Sequence, residues 1–337
     1  MNDLEFLTDL YSALLKRAPR EPELTHWATK LAEGMADREI IARFIRSPEY
    51  RHKNRVRCTY PPGHYYSPIV DPDSLDKEKL SARSLSPSLI PGINIDGQKM
   101  LTFWNRNADT IAGTPFPIDA APGFRYYSDN NIYPIGDATI LRAMLADKRP
   151  VRMIEIGSGF SSACALDTAD EFSLPTEFLF IEPYAKRLRS VLRPQDAERV
   201  SIVEKPVQEV SLDVFASLNG GDILLIDSTH VLKTGSDVHY ELFKVLPVLK
   251  PGVYVHFHDI HYPFEYPSEW VFGKNLSWNE IYAVRAFLMH NNDYEIEFFN
   301  HYFTAAFTSV IGRTFPKFLA NGGGSLWIKK VGPSLSV

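Results

Sequence analysis

Val151-Arg152-Met153-Ile154-Glu155-Ile156-Gly157-Ser158-Gly159-Phe160-Ser161-Ser162 is the stretch on which the reading of this chain turns. A short apolar run ends in two glycines, and Ser161–Ala169 directly after it has the residue types of a helix. Glycine permits positive φ and close backbone approach. Such a loop therefore passes tightly beneath a ligand and aims helix N–H groups at it. Strand, glycine loop and helix in that order open a doubly wound sheet.

Working outward, the pattern predicts a helix over Asp137–Asp147 and strands over Val151–Ile156, Glu177–Ile181, Ser201–Val203, Asp222–Ile226, Gly252–His258, Tyr294–Asn300 and Ser325–Lys330. Helices are expected at Val238–Leu246 and Trp278–Leu288. Alternating strands and helices argue for an α/β fold, a Rossmann-like doubly wound sheet of seven strands. The loop itself favours no single cofactor. A dinucleotide-binding loop expects a third glycine where Ser162 stands. At the end of the second strand, Glu182 can accept hydrogen bonds from both hydroxyls of a ribose, which suits any adenosine cofactor.

Two further strand ends carry chemistry. The fourth closes in Leu225-Ile226-Asp227-Ser228-Thr229-His230, the fifth in Val255-His256-Phe257-His258-Asp259-Ile260-His261. Open α/β sheets bind ligands at the carboxyl ends of their strands, so Asp227, His230, His258 and Asp259 are expected in one crevice. Buried ionisable groups are costly unless they pair, bind metal or act chemically.

Ile226-Asp227-Ser228-Thr229-His230, Gly235-Ser236-Asp237, His256-Phe257-His258-Asp259-Ile260 and Tyr262-Pro263-Phe264-Glu265-Tyr266-Pro267 together resemble methyltransferase family 24, a class I S-adenosylmethionine-dependent group. Asn130-Asn131, Trp278-Asn279-Glu280 and Gly323-Gly324-Ser325-Leu326-Trp327-Ile328 are similar to that family too. The resemblance implies that Glu155 reaches the methionine end of S-adenosyl-L-methionine, with Gly157, Gly159, Ser161 and Asp227 around the cofactor. It implies Glu182 on the ribose and Gln208, in Lys205-Pro206-Val207-Gln208, at the adenine. His230 resembles the general-base position of sugar-modifying relatives, with His258 as the other catalytic candidate and Asp227 beside them. Metal-dependent relatives hold a divalent ion with acids after strands four and five. Asp227 and Asp259 fit those positions, but His258 stands where an acid is expected and Ile260 where an Asn is expected. Imidazole suits Zn²⁺, Mn²⁺ or Fe²⁺ better than Mg²⁺. A divalent metal on Asp227, His258 and Asp259 stays open against a metal-free His/Asp network. Tyr126, Tyr133, Tyr262, Phe264 and Trp270 are expected either to wall an acceptor pocket or to fill ordinary core.

Residues 1–53 read differently. Leu4, Leu7, Leu10, Leu14 and Leu15, then Leu24, Trp27, Ala28 and Leu31, then Ile40, Ile41, Phe44 and Ile45 recur at helical spacing between prolines and glycine. They predict three short helices in a small all-α bundle. Leu10-Tyr11-Ser12-Ala13-Leu14-Leu15-Lys16-Arg17-Ala18-Pro19, Trp27, Gly34 and Ser47-Pro48-Glu49-Tyr50 resemble the DUF4214 domain. That resemblance implies docking of a protein partner. Residues 54–125 form a Pro- and aromatic-rich connector expected to pack on the catalytic domain at 126–330.

The 337 residues carry a net charge of −5, 45% hydrophobic and 23% charged residues, the balance of a soluble globular protein with no global pull toward nucleic acid. No apolar run approaches the length of a membrane span. Cys58 and Cys164 read as free thiols of a reducing cytoplasm. Methylation of a hydroxyl on a sugar, glycan or other small-molecule acceptor is the expected function. An NAD-linked oxidoreductase on the same sheet, or a scaffold protein with a degenerate enzyme domain, are the alternatives.

Overall fold

The computed structural model describes residues 2–53, 59–78, 80 and 90–334, so Cys58 lies outside the described residues. The chain divides into two compact units, Met1–Asp71 and Pro72–Val337. The first holds helices α1 (Asp3–Leu15), α2 (Glu21–Ala32), α3 (Asp37–Arg46) and α4 (Pro48–Lys53). The fourth was not expected: α3 ends at Arg46, just ahead of Ser47-Pro48, and Pro48 then opens a new helix, since its missing N–H is harmless at a first helical position. Leu7, Leu10, Tyr11, Leu15, Ile40 and Phe44 form a separate core. Arg17 pairs with Glu23 and with Glu49, each at 2.7 Å, and ties α2 and α4 to the end of α1.

The second unit is built on one sheet of seven strands in the order β3-β2-β1-β4-β5-β7-β6. They are β1 (Arg152–Ile156), β2 (Glu177–Ile181), β3 (Val200–Val203), β4 (Ile223–Ile226), β5 (Tyr254–Phe257), β6 (Tyr294–Phe299) and β7 (Leu326–Lys330). β1 to β5 run parallel to one another, whereas β7 inserts antiparallel between β5 and β6. β4 and β5 are buried at every residue, as a strand covered by helices on both faces must be. The helices Gly97–Arg106 and Ala108–Ala112 add Met100, Phe103, Trp104 and Ile111 to the same core. Among the described residues no helix is long and apolar enough to cross a membrane.

Register places the site. Ile156 pairs with Ile181 and with Ile226, and Ile226 pairs with Phe257. The first residues past these strands are Gly157, Glu182, Asp227 and His258, which therefore emerge level at one carboxyl edge. The helix expected over Val238–Leu246 is interrupted by a π turn at Glu241–Val245. Pro247 has no N–H to bond back to Phe243, and the turn widens just before it.

Candidate active site at the carboxyl edge

A cavity of about 560 Å³ opens above those strand ends, within the range of small-molecule sites. A larger cleft, about 930 Å³, runs along β6 past Asp96, Lys99 and His290 but touches none of the strand-end residues. Gly157 has φ 77°, and a Cβ there would stand 1.7 Å from the carbonyl oxygen of Asp227. Only glycine lets β1 leave the sheet this close to β4. A Cβ on Gly159 would meet Cδ of Arg187 at 3.1 Å, so the arginine stem lies across the loop. Ser158 lines the cavity with its hydroxyl buried and without a hydrogen-bond partner among the described residues. Glu182 is half-buried and already oriented, accepting from the amides of Ser158 at 3.2 Å and Tyr184 at 2.7 Å.

Two expected cofactor residues stand elsewhere. Glu155 is fully buried and does not line the cavity. It accepts from the hydroxyls of Ser161 and of Ser162, the latter at 2.6 Å, so it braces the loop from beneath. Burial drives its pKa up to about 8, beyond what the two serine hydrogen bonds restore. Ser161 borders the cavity while its hydroxyl is held by Glu155. Gln208 is not a lining residue either: after β3 the chain enters a 3₁₀ turn, and the Gln208 amide donates to the carbonyl of Gly235 at 2.9 Å. Tyr126, Tyr133 and Phe264 are core, whereas Trp270 lines the cavity with Trp278 at 5.4 Å between ring centroids.

Asp227, His230, His258 and Asp259 do converge. His230 Nε2 lies 3.5 Å from Asp227 and 3.5 Å from Asp259; His258 Nδ1 lies 3.3 Å from Asp227 and 3.5 Å from Asp259. Imidazoles and carboxylates thus alternate. Burial opposes charge on His230, but hydrogen bonds to Asp227 and Glu280 raise its pKa to about 10. Burial likewise opposes charge on His258, yet Asp259, Asp227 and Asp137 together raise its pKa well above the ordinary value. Burial works against Asp227 too, and the two histidines reverse it, holding the carboxyl well below the carboxylate range. Asp259 is raised, by burial first and by the neighbouring acids, against the pull of the histidines. His256 is fully buried and kept neutral, its pKa pushed down to about 3 by burial.

The histidines are unequal. His258 Nε2 meets the buried carboxylate of Asp137 at 3.2 Å. Asp137 also accepts from Asn300 at 3.0 Å and from the amides of Gly324 and Ser325 at 3.1 and 2.9 Å. His258 is therefore locked into the seam where β7 joins β5. His230 Nδ1 meets Glu280 at 2.7 Å, which leaves Nε2 directed between the two aspartates at the cavity wall. Trp278 packs on the His230 ring at 4.4 Å. Both His230 and Asp259 adopt positive φ, 61° and 58°, rare for side-chain-bearing residues and held here by surrounding contacts. The amides of Asn279 and Glu280 both donate to the His230 carbonyl at 3.1 Å, pinning its loop to the helix Glu280–Leu288.

Asp137 was read from the sequence only as the start of a helix, and Glu280 only within the Trp278-Asn279-Glu280 motif near another helix start, neither as a histidine partner. Each sits in a first helical turn, where an acid is common for local reasons. Their signal was the position of an acid beside an otherwise apolar face, which periodicity does not distinguish from a cap. Among the described residues no group of three or more His, Cys, Asp or Glu side chains is arranged to hold a metal ion.

A methyltransferase-domain family matches residues 154–260, and a domain of unknown function, DUF4214, matches residues 1–54. An uncharacterized protein of Archaeoglobus fulgidus is 30% identical over 165 residues, covering 47% of this chain and 73% of its own length. Among solved structures, a Podospora anserina methyltransferase bound to S-adenosylhomocysteine is 14% identical, with a TM-score of 0.38, over 76% of this chain and 95% of that one. The O-methyltransferase of tomaymycin synthesis from Streptomyces achromogenes, in complex with S-adenosylmethionine, is 14% identical with a TM-score of 0.36, over 77% and 100%.

Proposed function

Because the chain belongs to the class I S-adenosylmethionine-dependent methyltransferases with an N-terminal DUF4214 region, we propose that it methylates a hydroxyl group, and that the hydroxyl is carried by a sugar or glycan. The observation that carries this reading is His230: buried, gripped at Nδ1 by Glu280 and presenting Nε2 at the wall of the cavity beside the cofactor loop. The cavity suits the cofactor on three counts. Gly157 and Gly159 leave the loop without side chains, Ser158 offers an unused buried hydroxyl, and Glu182 presents a fixed carboxylate for a ribose diol. Arg187, lying over Gly159 with no ion pair among the described residues, supplies a cation for the cofactor's carboxylate. When bound, S-adenosylmethionine supplies an electrophilic methyl group, so the chain has only to align an acceptor and take its proton.

In this reading the acceptor hydroxyl gives its proton to Nε2 of His230, while Glu280 stabilises the cation that forms. Asp227 and Asp259 orient the same nitrogen, and His258, tied to Asp137, keeps the two aspartates from repelling each other. Trp270 and Trp278 offer apolar faces of the kind sugar rings stack against. No step uses a metal ion. The N-terminal unit is proposed to dock a protein partner, the role that its resemblance to the DUF4214 domain implies.

Calorimetric titration with S-adenosylmethionine, followed by turnover on a panel of nucleotide sugars and glycans with and without chelator, tests the reading. Binding of the cofactor, and chelator-insensitive methylation of a sugar hydroxyl, are expected. Turnover should climb as pH rises through the alkaline range toward about 10, because the base works only once it has lost the proton its neighbours hold. No binding at millimolar cofactor would overturn the proposal.

A further inference from the structure

One stretch of the cavity wall has no task in holding the cofactor. Trp270, Lys274, Leu276 and Trp278 reach it from one segment, Asn131 and Ile132 from another. The first segment is folded to present them. A π turn, Glu269–Gly273, leads into Lys274, whose amide donates to the Glu269 carbonyl at 2.9 Å, and the Leu276 amide donates to the Trp270 carbonyl at 3.1 Å. From Lys274 to Trp278 alternate residues line the cavity, while the two between them, Asn275 and Ser277, take positive φ of 46° and 49°. Ser277 Oγ donates to Asn275 Oδ1 at 3.0 Å and fastens the turn. Left-handed backbone at residues with side chains is unfavourable and gathers at ligand clamps.

The aromatic part of this wall is held from behind. Buried Tyr266 lies 6.2 Å from Trp270 and 6.0 Å from Trp278 between ring centroids, and Trp278 packs on His230 at 4.4 Å. A ring stacked on these indoles therefore lies beside the imidazole. Asn131 sits at φ 58° in a turn stapled by Asn130. The Asn130 amide donates to the carbonyls of Tyr127 and Tyr133 at 2.6 and 3.1 Å, and its oxygen accepts from the amides of Ile132 and Tyr133 at 2.9 and 2.7 Å. Asn130 is thereby used up within the turn. The Asn131 side chain borders the cavity, and a primary amide offers the donor and the acceptor that a sugar hydroxyl can meet.

Charge sets Lys274 apart. Among the other ionisable groups at the cavity, Asp227 and Asp259 face the two histidines, Glu182 holds two amides, and Arg187 lies across the glycine loop. Lys274 makes no ion pair among the described residues. Glu269, the acid of its own turn, folds over Gly273 instead, where a Cβ would stand 2.5 Å from its Oε1. S-adenosylmethionine brings a positive sulfonium into the same cavity. A wall whose acids are engaged, which presents an unpaired ammonium and receives a cationic cofactor, is complementary to a negative acceptor.

We propose that the acceptor is an anionic sugar, with Lys274 binding its negative group, Trp270 and Trp278 holding its ring, and Asn131 meeting a neighbouring hydroxyl. Lys274 takes this role only if the site methylates a sugar hydroxyl, the function proposed above. The negative group is an oxyanion, either a carboxylate of the ring or a phosphate on its anomeric oxygen, and an ammonium meets both as a point charge. Neutral sugars leave Lys274 without a partner.

Steady-state kinetics of the full chain on matched acceptors test this. Methyl glucoside, methyl glucuronide and UDP-glucose present no charge, a carboxylate and a phosphate. At least one anionic sugar should exceed the neutral one in kcat/KM by about tenfold, and the favoured arm identifies the source of the charge. Lys274→Met should remove that preference through KM, and Lys274→Arg, which keeps the cation, should restore most of it. Calorimetry should find S-adenosylmethionine bound by both variants as by wild type, the sign that the fold is retained. A neutral sugar methylated as efficiently as both anionic ones, or a preference untouched in Lys274→Met, overturns the proposal while methylation of sugars stands. Methyl transfer to phenols or simple alcohols with no sugar accepted overturns the sugar reading itself, and the role of Lys274 with it.

Discussion

Glu182 and Asp227 each stand one residue past a strand, on β2 and β4, yet their surroundings give them separate tasks. Glu182 faces the loop and holds two amides, so Glu182→Ala should weaken S-adenosylmethionine binding by about 1.5–3 kcal/mol, read by calorimetry, the range for hydrogen bonds to a charged group. Asp227 faces the histidines, and Asp227→Ala should mainly lower turnover; equal loss of cofactor affinity in both variants would contradict this division. Glu155 makes a pH prediction. Its carboxyl has a folded pKa of about 8 against an ordinary 4.5, so the folded state binds the proton more tightly than the unfolded chain. Stability is therefore highest below the unfolded value and falls as pH rises between the two, by on the order of 4–5 kcal/mol in all. Glu155→Gln cannot ionise, so its melting temperature should gain on wild type from pH 5 to pH 8; a constant gap would refute the assignment.

At the scale of elements, the glycine loop depends on how closely β1 and β4 end. With 1.7 Å between a Cβ on residue 157 and the Asp227 carbonyl, Gly157→Ala must push the two strand ends apart as well as strain a positive φ. A loss of about 3 kcal/mol or more and abolished cofactor binding are expected, measured by denaturant unfolding and calorimetry. Element types were largely legible from periodicity. All seven strands lie where the sequence pattern put them, and the central β4 and β5, covered on both faces, are buried throughout. Departures arose where one residue changed the local hydrogen-bond pattern: Pro48 starting a helix, and Pro247 beside the π turn that carries Glu241.

For the whole molecule, two separate cores predict separate unfolding. Differential scanning calorimetry should show two transitions, with the smaller removed by deleting residues 1–71 and cofactor binding retained. A single transition, or loss of binding on deletion, would contradict this. The Gly157–Gly159 loop, the two kinds of domain and the convergence of Asp227, His230, His258 and Asp259 were set by the sequence alone, since strand ends in a doubly wound sheet share one edge. What each residue there does was decided only by the tertiary structure. Glu155 turned beneath the loop because Ser161 and Ser162 face it, and Gln208 turned away to Gly235. Asp137 and Glu280, from remote helices, claimed opposite histidines and made one a lock and the other the candidate base. Period and motif report which residues share an edge. Burial and the choice of hydrogen-bond partner, which depend on distant segments, assign the charges.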